Sequence, residues 1–209
     1  TFVPASEVRG EGLFIAFRAD VLEAWELQAP VKAREDRLFA AHREWRSSRH
    51  LDPVDKGFPG VVYAALHSFA HALMREIALE CGYNAASVRE RIYTSRYGEP
   101  VTMAGVLVYT AAPDSEGTLG GLVALGETAE LERLTTQALR SAGLCSSDPL
   151  CSEHDPGRDK SLHGASCHAC LFAPETSCER GNRYLDRALL VPTWAESEVA
   201  LFAAAGGDS

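Results

Sequence analysis

The apolar positions change their spacing several times along the chain, and each change predicts an element. EGLFIAF (11–17) is a short apolar run rich in aromatics and predicts a strand. Over 20–49, Val21, Leu22 and Trp25 and then Leu38, Phe39 and Trp45 recur at helical spacing. Pro30 falls between the two groups, so two helices or one kinked helix are expected. RHLDPVDKGFPG (49–60) predicts a loop through Pro53, Gly57, Pro59 and Gly60. VVYAALHSFAHALMREIALECG (61–82) predicts a buried helix that closes at Gly82. Asn84 is placed to cap a further helix over 85–93. AGVLVYTA (104–111) predicts a buried strand, PDSEGTLGGL (113–122) a glycine-rich turn, and 119–143 a helix.

From Cys145 to Asn182 both periodicities vanish, and Pro, Gly, Ser, His and Cys dominate. A structureless stretch of this length is unusual in a compact domain, so something other than apolar burial must order it. RYLDRALLVPTW (183–194) is apolar again and is expected to dock on the body, while AAAGGDS is expected to fray. The expected organisation is an α/β core over 1–144, a zinc-binding lobe over 145–182 and a docking C-terminal segment over 183–209. The expected fold class is α/β or α+β. Strands 11–17 and 104–111 would share a small sheet, with helix 61–82 packed on it.

Composition narrows the function classes. Among 209 residues, 46% are hydrophobic and 23% charged, as in ordinary globular chains. No apolar run approaches the ~20 residues that span a bilayer, so no membrane role is expected. A net charge of −9 argues against a broad nonspecific nucleic-acid surface. Lys32, Arg34, Arg37, Arg43, Arg46 and Arg49 nonetheless fall in one helical region, as a solvated face or a phosphate-contacting strip. The opening residues carry Glu, Arg and Asp and do not read as a secretory leader. The chain opens on TFVPAS without Met, and a piece of a longer polypeptide is expected. Six cysteines without a leader point to a reducing, cytoplasmic setting, where thiols more often hold metal than form disulfides.

Five of the six cysteines lie within Cys145–Cys178. Zinc takes four ligands tetrahedrally and favours thiolates at structural sites. Cys167 and Cys170, two residues apart, can reach one ion from a tight turn, and Cys178 can return to it. The expected set is Cys151, Cys167, Cys170 and Cys178, with Cys145 and His163 as alternates for the fourth place. A cysteine-dominated set is closed and a poor Lewis acid, so the expected role is structural. Cys81, on the apolar helix, reads as a core residue.

HSFAHALMREIALECGYNAASVRERIY (67–93), CSSDPLC (145–151) and LHGASCHACLFAPETSCERGNRYLDR (162–187) resemble the helicase-associated domain of DrmB-type DISARM antiphage proteins. That domain is similar to the zinc-binding C-terminal module of MrfA-type repair helicases. The resemblance covers roughly residues 60–192. MrfA-type modules carry a four-cysteine cluster followed by an Asn and a Leu-Asp-Lys-like ending. The matching positions here are Cys167, Cys170, Cys178, Asn182, Leu185 and Asp186. A cysteine of those modules falls at His163 of this chain, which leaves the fourth ligand open among His163, Cys145 and Cys151. The resemblance implies a noncatalytic, zinc-stabilised accessory module. Its partner would be a superfamily 2 helicase, either a DrmA-like subunit or a helicase region of the same polypeptide. It would assist DNA engagement through that complex, in phage defence or DNA repair. The sequence holds no G-x-x-x-x-G-K-[ST] phosphate loop.

His67 and His71 share a helix face, but Ser68 stands where a zincin has Glu, so HSFAH is no H-E-x-x-H motif. Core-satisfied histidines are one reading. The alternative is a nucleic-acid- or nucleotide-processing enzyme that joins His67 and His71 to the acidic turn around Asp114, Glu116, Gly117, Gly120 and Gly121. Near the cysteines, Asn182 is expected to satisfy loop carbonyls, and Asp186 to orient a ligand or a backbone amide.

Overall fold

A computed structural model describes residues 10–110 and 121–202. Its elements are β1 (Gly12–Ala16), α1 (Ala19–Glu26), α2 (Ala29–Ser47), α3 (Val61–Cys81), β2 (Val88–Thr94), β3 (Ala104–Thr110), α4 (Gly121–Ala124) and α5 (Thr128–Gly143). A single 3-10 turn follows at Arg187–Leu189. The three strands form one antiparallel sheet in the order β1-β3-β2. This is a mixed α/β fold built on a small sheet.

Helix α3 is the axis of the fold. A helix that is apolar on every side must be surrounded, and Val61 through Met74 are all buried. The helix packs on β2 and β3, on α5, on α2 and on the 3-10 turn. Gly82 closes it in the left-handed region at φ 68°. β1 pairs with β3 from Gly12↔Tyr109 to Ala16↔Gly105, so the two expected strands are direct neighbours. Pro30 does not kink a helix; it sits in the first turn of α2, where the missing amide hydrogen has no intrahelical partner to lose.

Two expectations are corrected. Residues 85–93 do not form a helix. Asn84 Oδ1 accepts the Ala86 amide at 2.9 Å, and the Asn84 carbonyl accepts the Ser87 amide at 2.8 Å, which makes a turn into β2. The VRERIYT stretch then alternates, with Val88, Glu90 and Ile92 inward and Arg89 and Arg91 outward. The expected helix over 119–143 is divided into α4 and α5 by a break that includes Gly126, where an added Cβ would stand 2.6 Å from Leu13 Cδ2. Most of the glycine-rich turn, including Asp114, Glu116, Gly117 and Gly120, lies outside the described residues. No helix among the described residues is long and apolar enough to cross a membrane.

The segment over 145–182 has no regular element, yet Leu162, Ala165 and Leu171 join the same apolar core as α3. So do Leu185, Leu189, Leu190 and Val191 from the chain that follows. A buried polar lock ties these segments to the helices. Arg34 Nε of α2 donates to Asp186 Oδ2 at 2.7 Å, both side chains being essentially unexposed. Asp186 Oδ1 accepts the amides of Ala165 at 3.0 Å and Ala188 at 3.1 Å. The Asp186 amide donates to Ser68 Oγ at 2.7 Å, and that hydroxyl donates to the Ala64 carbonyl of α3.

Candidate metal centre

Four sulfurs converge where α5 ends. Cys145 lies two residues beyond α5, Cys151 closes the CSSDPLC turn, and Cys167 and Cys170 bound a tight knuckle. Their Sγ atoms all lie within 4.8 Å of one another. The closest approaches are 3.5 Å for Cys145–Cys167, 3.7 Å for Cys151–Cys170 and 3.8 Å for Cys167–Cys170. Four thiolates at ~2.3 Å from one tetrahedral ion stand ~3.8 Å apart. The donor set and its spacing therefore fit zinc.

The local chemistry builds this arrangement. The Cys167 carbonyl accepts the amides of Cys170 at 3.1 Å, Leu171 at 3.1 Å and Phe172 at 3.0 Å, which curls the knuckle. The Cys167 amide donates to Cys170 Sγ at 3.2 Å, and the Ser147 amide to Cys145 Sγ at 3.4 Å. Asp148 shapes the other turn by accepting the amides of Cys145 at 2.9 Å and Ser152 at 3.1 Å. Arg187 is fully buried behind the cluster. It donates to Asp148 and to the Ala142 and Gly143 carbonyls that end α5, and its charge opposes the upward push that Cys170 and burial exert on the Cys151 thiol. Four thiolates and one divalent ion carry a net negative charge, so a buried guanidinium and two amides beside the sulfurs offset it. Hydrogen bonding from Cys151 holds the Cys170 thiol down, at about 5, whereas Cys151 is pushed far up by that same bond and by burial.

The expected ligand set is thus divided by the fold. Cys151, Cys167 and Cys170 meet Cys145, and Cys178 is drawn elsewhere. His163 does not join them: its Nδ1 approaches the Gly164 carbonyl at 3.1 Å and its ring stacks on His154 at 4.4 Å. Asn182 clasps Ala173 through both its amide atoms, at 3.0 and 2.8 Å, and its backbone amide donates to Cys178 Sγ. Asp186 serves the lock with Arg34 and orients the Ala165 amide.

Cys178 enters a second cluster with His67, His71 and Glu90, again with ligand-type atoms within 4.8 Å of one another. All four residues are buried. His67 Nε2 lies 3.2 Å from Cys178 Sγ and 3.1 Å from Glu90 Oε1. His71 Nδ1 lies 2.7 Å from the Leu171 carbonyl, which can only accept, so this nitrogen carries the proton. Burial alone would push the Cys178 thiol up; the His67 and His71 imidazoles beside it outweigh it and bring it to about 6. Burial likewise opposes charge on His71, and the neighbouring Cys178 and Glu90 raise it to about 10. Glu90 is held well below the usual carboxylate range, its desolvation outweighed by the histidines. Glu90 was missed in the sequence because 85–93 reads as a helix; its inward place in the V-R-E-R-I alternation was the available signal.

The basic strip of α2 is largely committed to structure. Arg34 is in the lock, Lys32 pairs with Glu26 and Glu35, and Arg37 pairs with Glu196 at 2.5 Å. Arg49 lies over the Trp45 ring at 4.4 Å, joined by Arg183 from the C-terminal segment at 5.4 Å.

Comparison with known proteins supports zinc. Residues 69–171 match the MrfA Zn-binding domain. The chain is 41% identical over 193 residues to the DISARM protein DrmB of Bacillus paralicheniformis. That alignment takes in 92% of this chain and 33% of the relative, so the chain spans about a third of its length. A zinc-fitting site thus lies within the part of the chain that matches the MrfA Zn-binding domain, and the chain is similar over most of its own length to a DISARM DrmB protein.

Proposed function

We propose that the chain is a noncatalytic accessory module of a DISARM-type phage-defence protein, working in the cytoplasm. Zinc held by Cys145, Cys151, Cys167 and Cys170 folds its loop-rich lobe over 145–182 onto the 1–144 core. The module docks on a superfamily 2 helicase, a DrmA-like subunit or a helicase region of the same polypeptide, and helps that complex engage DNA. The observation that carries this reading is the closed four-sulfur centre: no coordination position is left for a substrate, so its role is to hold a shape. Likeness to a DISARM DrmB protein supports the defence setting.

The reading as a nucleotide-processing enzyme is less well supported, because His67 and His71 are buried, at 0% and 2% exposed. For the DNA contact, the supporting feature is the exposed Arg49 and Arg183 around half-buried Trp45. Guanidinium groups beside an aromatic face suit phosphates and stacked bases. The test is copurification of the chain with a helicase subunit, followed by DNA binding of the complex. Capture of the helicase, with binding weakened several-fold by Arg49→Glu and Arg183→Glu, is expected. Failure to associate with any helicase would remove the proposal.

A further inference from the structure

We propose that His67, His71, Glu90 and Cys178 form a second zinc site, buried between α3, β2 and the end of the lobe. This site is independent of the four-cysteine centre and is structural in kind.

The donor chemistry comes first. Two imidazoles, a carboxylate and a thiolate are all ordinary zinc ligands, and four of them from three separate segments converge on one point. Around a tetrahedral zinc, with bonds of ~2.0–2.3 Å, neighbouring donor atoms stand ~3.4–3.6 Å apart. The nearest pairs here, 3.1, 3.2 and 3.6 Å, lie within a few tenths of an ångström of that.

The second argument is the unfilled hydrogen bonding. His71 commits its Nδ1 proton to the Leu171 carbonyl, so in the neutral ring Nε2 is a bare lone pair. That Nε2 is fully buried without a hydrogen-bond partner, and it stands 3.6 Å from Glu90 Oε1. Glu90 Oε2 is likewise buried and unpartnered. Orphaned buried acceptors are costly. An ion among these donors would give His71 Nε2 a partner.

The third argument is charge. Glu90 and Cys178 are two acidic ligands in a site without exposure to water, and without a metal only protons on the histidines balance them. One divalent cation neutralises the set. On binding, the protons shared by the cluster leave to bulk water and the thiolate, carboxylate and imidazole donors bond the metal. The surrounding contacts are those of a held ligand shell: the Asn182 amide donates to Cys178 Sγ at 3.1 Å, the Glu179 amide to Glu90 Oε1 at 3.1 Å, and Leu171 fixes the His71 tautomer. The (i, i+4) spacing of His67 and His71 places both rings on one face of α3, which needs no loop to hold them.

The test counts zinc in the purified full chain by elemental mass spectrometry, for wild type, Cys145→Ser and Cys178→Ser. Two ions per chain in wild type, and one in each variant, are expected. One ion in wild type, retained by Cys178→Ser, would overturn the second site and leave a proton-held network in its place. One ion in wild type, lost from Cys178→Ser and kept by Cys145→Ser, would place Cys178 with the other cysteines and likewise overturn the second site. Should Cys178→Ser fail to fold, zinc-edge X-ray absorption on the wild type decides alone. Sulfur together with nitrogen and oxygen neighbours supports the proposal, and sulfur neighbours alone refute it.

Discussion

His71 and Leu171 are joined by a hydrogen bond of 2.7 Å from the imidazole Nδ1 to the backbone carbonyl, and Leu171 directly follows Cys170 of the zinc knuckle. Four residues further along α3, Arg75 donates to the Ala169 carbonyl at 2.6 Å and the Cys170 carbonyl at 3.1 Å. His67, His71 and Arg75 thus form a polar stripe at four-residue spacing on an otherwise apolar helix. The stripe reads the backbone of the lobe, so the knuckle is held by α3 as well as by metal.

Arg75 is the clean probe of that grip, because it lies outside both clusters. Arg75→Ala removes the donor for the Ala169 and Cys170 carbonyls. Amide exchange over 167–172 is expected to speed up, and zinc loss to a chelator with it, while α5 and β2 keep their protection. Unchanged exchange at the knuckle would show that the metal alone orders it.

The four-cysteine centre should dominate the stability of the lobe. Cys145→Ser and Cys151→Ser are each expected to release one zinc and to cost about 4 kcal/mol or more, the range reserved for lost metals and comparable defects. Denaturant unfolding with a parallel zinc assay checks this. If Cys145→Ser kept its zinc while Cys178→Ser lost the same ion, the ligand set first expected from spacing would regain the fourth place.

That reversal of ligands shows how far the sequence was legible. Helix 61–82 and the two apolar strands could be read because each buries a continuous stripe whose period is local. The presence of a zinc centre was legible in Cys167-x2-Cys170 for the same reason. The partners of those two cysteines were not. Cys145 and Cys178 both lie within reach along the chain, and only the end of α5, the Asp148 turn and Arg187 decide between them. Glu90 was hidden for a related reason: Asn84 can start a helix or a turn, and pairing of 88–94 with β3 selects the turn.

The lock between Arg34 and Asp186 should be sensitive to truncation on either side. Removing one partner leaves the other buried without its main counter-charge, at a cost of about 3–5 kcal/mol. Arg34→Ala and Asp186→Ala are each expected to fall in that range, and the double variant well short of their sum. Unfolding midpoints of the four chains measure the coupling. Strict additivity would show that the two residues act separately.

Gly164 tests the same lock sterically. Its added Cβ would stand 2.2 Å from Asp186 Oδ2 and 2.5 Å from an Arg34 guanidinium nitrogen, whereas nothing lies within 4 Å of one at Gly143. Gly164→Ala is expected to destabilise by about 1–3 kcal/mol through overpacking. Gly143→Ala, in the last turn of α5, should be neutral or stabilising by up to ~1 kcal/mol. Equal midpoints for the two variants would contradict the close approach.

His42 gives the fold a pH dependence with a defined sign. It is buried on α2 with Nδ1 2.7 Å from the Tyr184 hydroxyl. Burial depresses its pKa below the usual histidine value, and the positive charges of Arg46 and Arg180 act the same way. The Lys56 carbonyl and Asp55 oppose them without reversing the shift. The unfolded chain therefore takes up a proton at this position before the folded one does. Its contribution to stability is complete above the unfolded value of ~6.5 and is lost as pH falls below it. The unfolding free energy of the wild type should decline as pH falls below about 6.5, with a shallower slope in His42→Gln. Parallel slopes for the two chains would show that the fold leaves the His42 pKa unshifted.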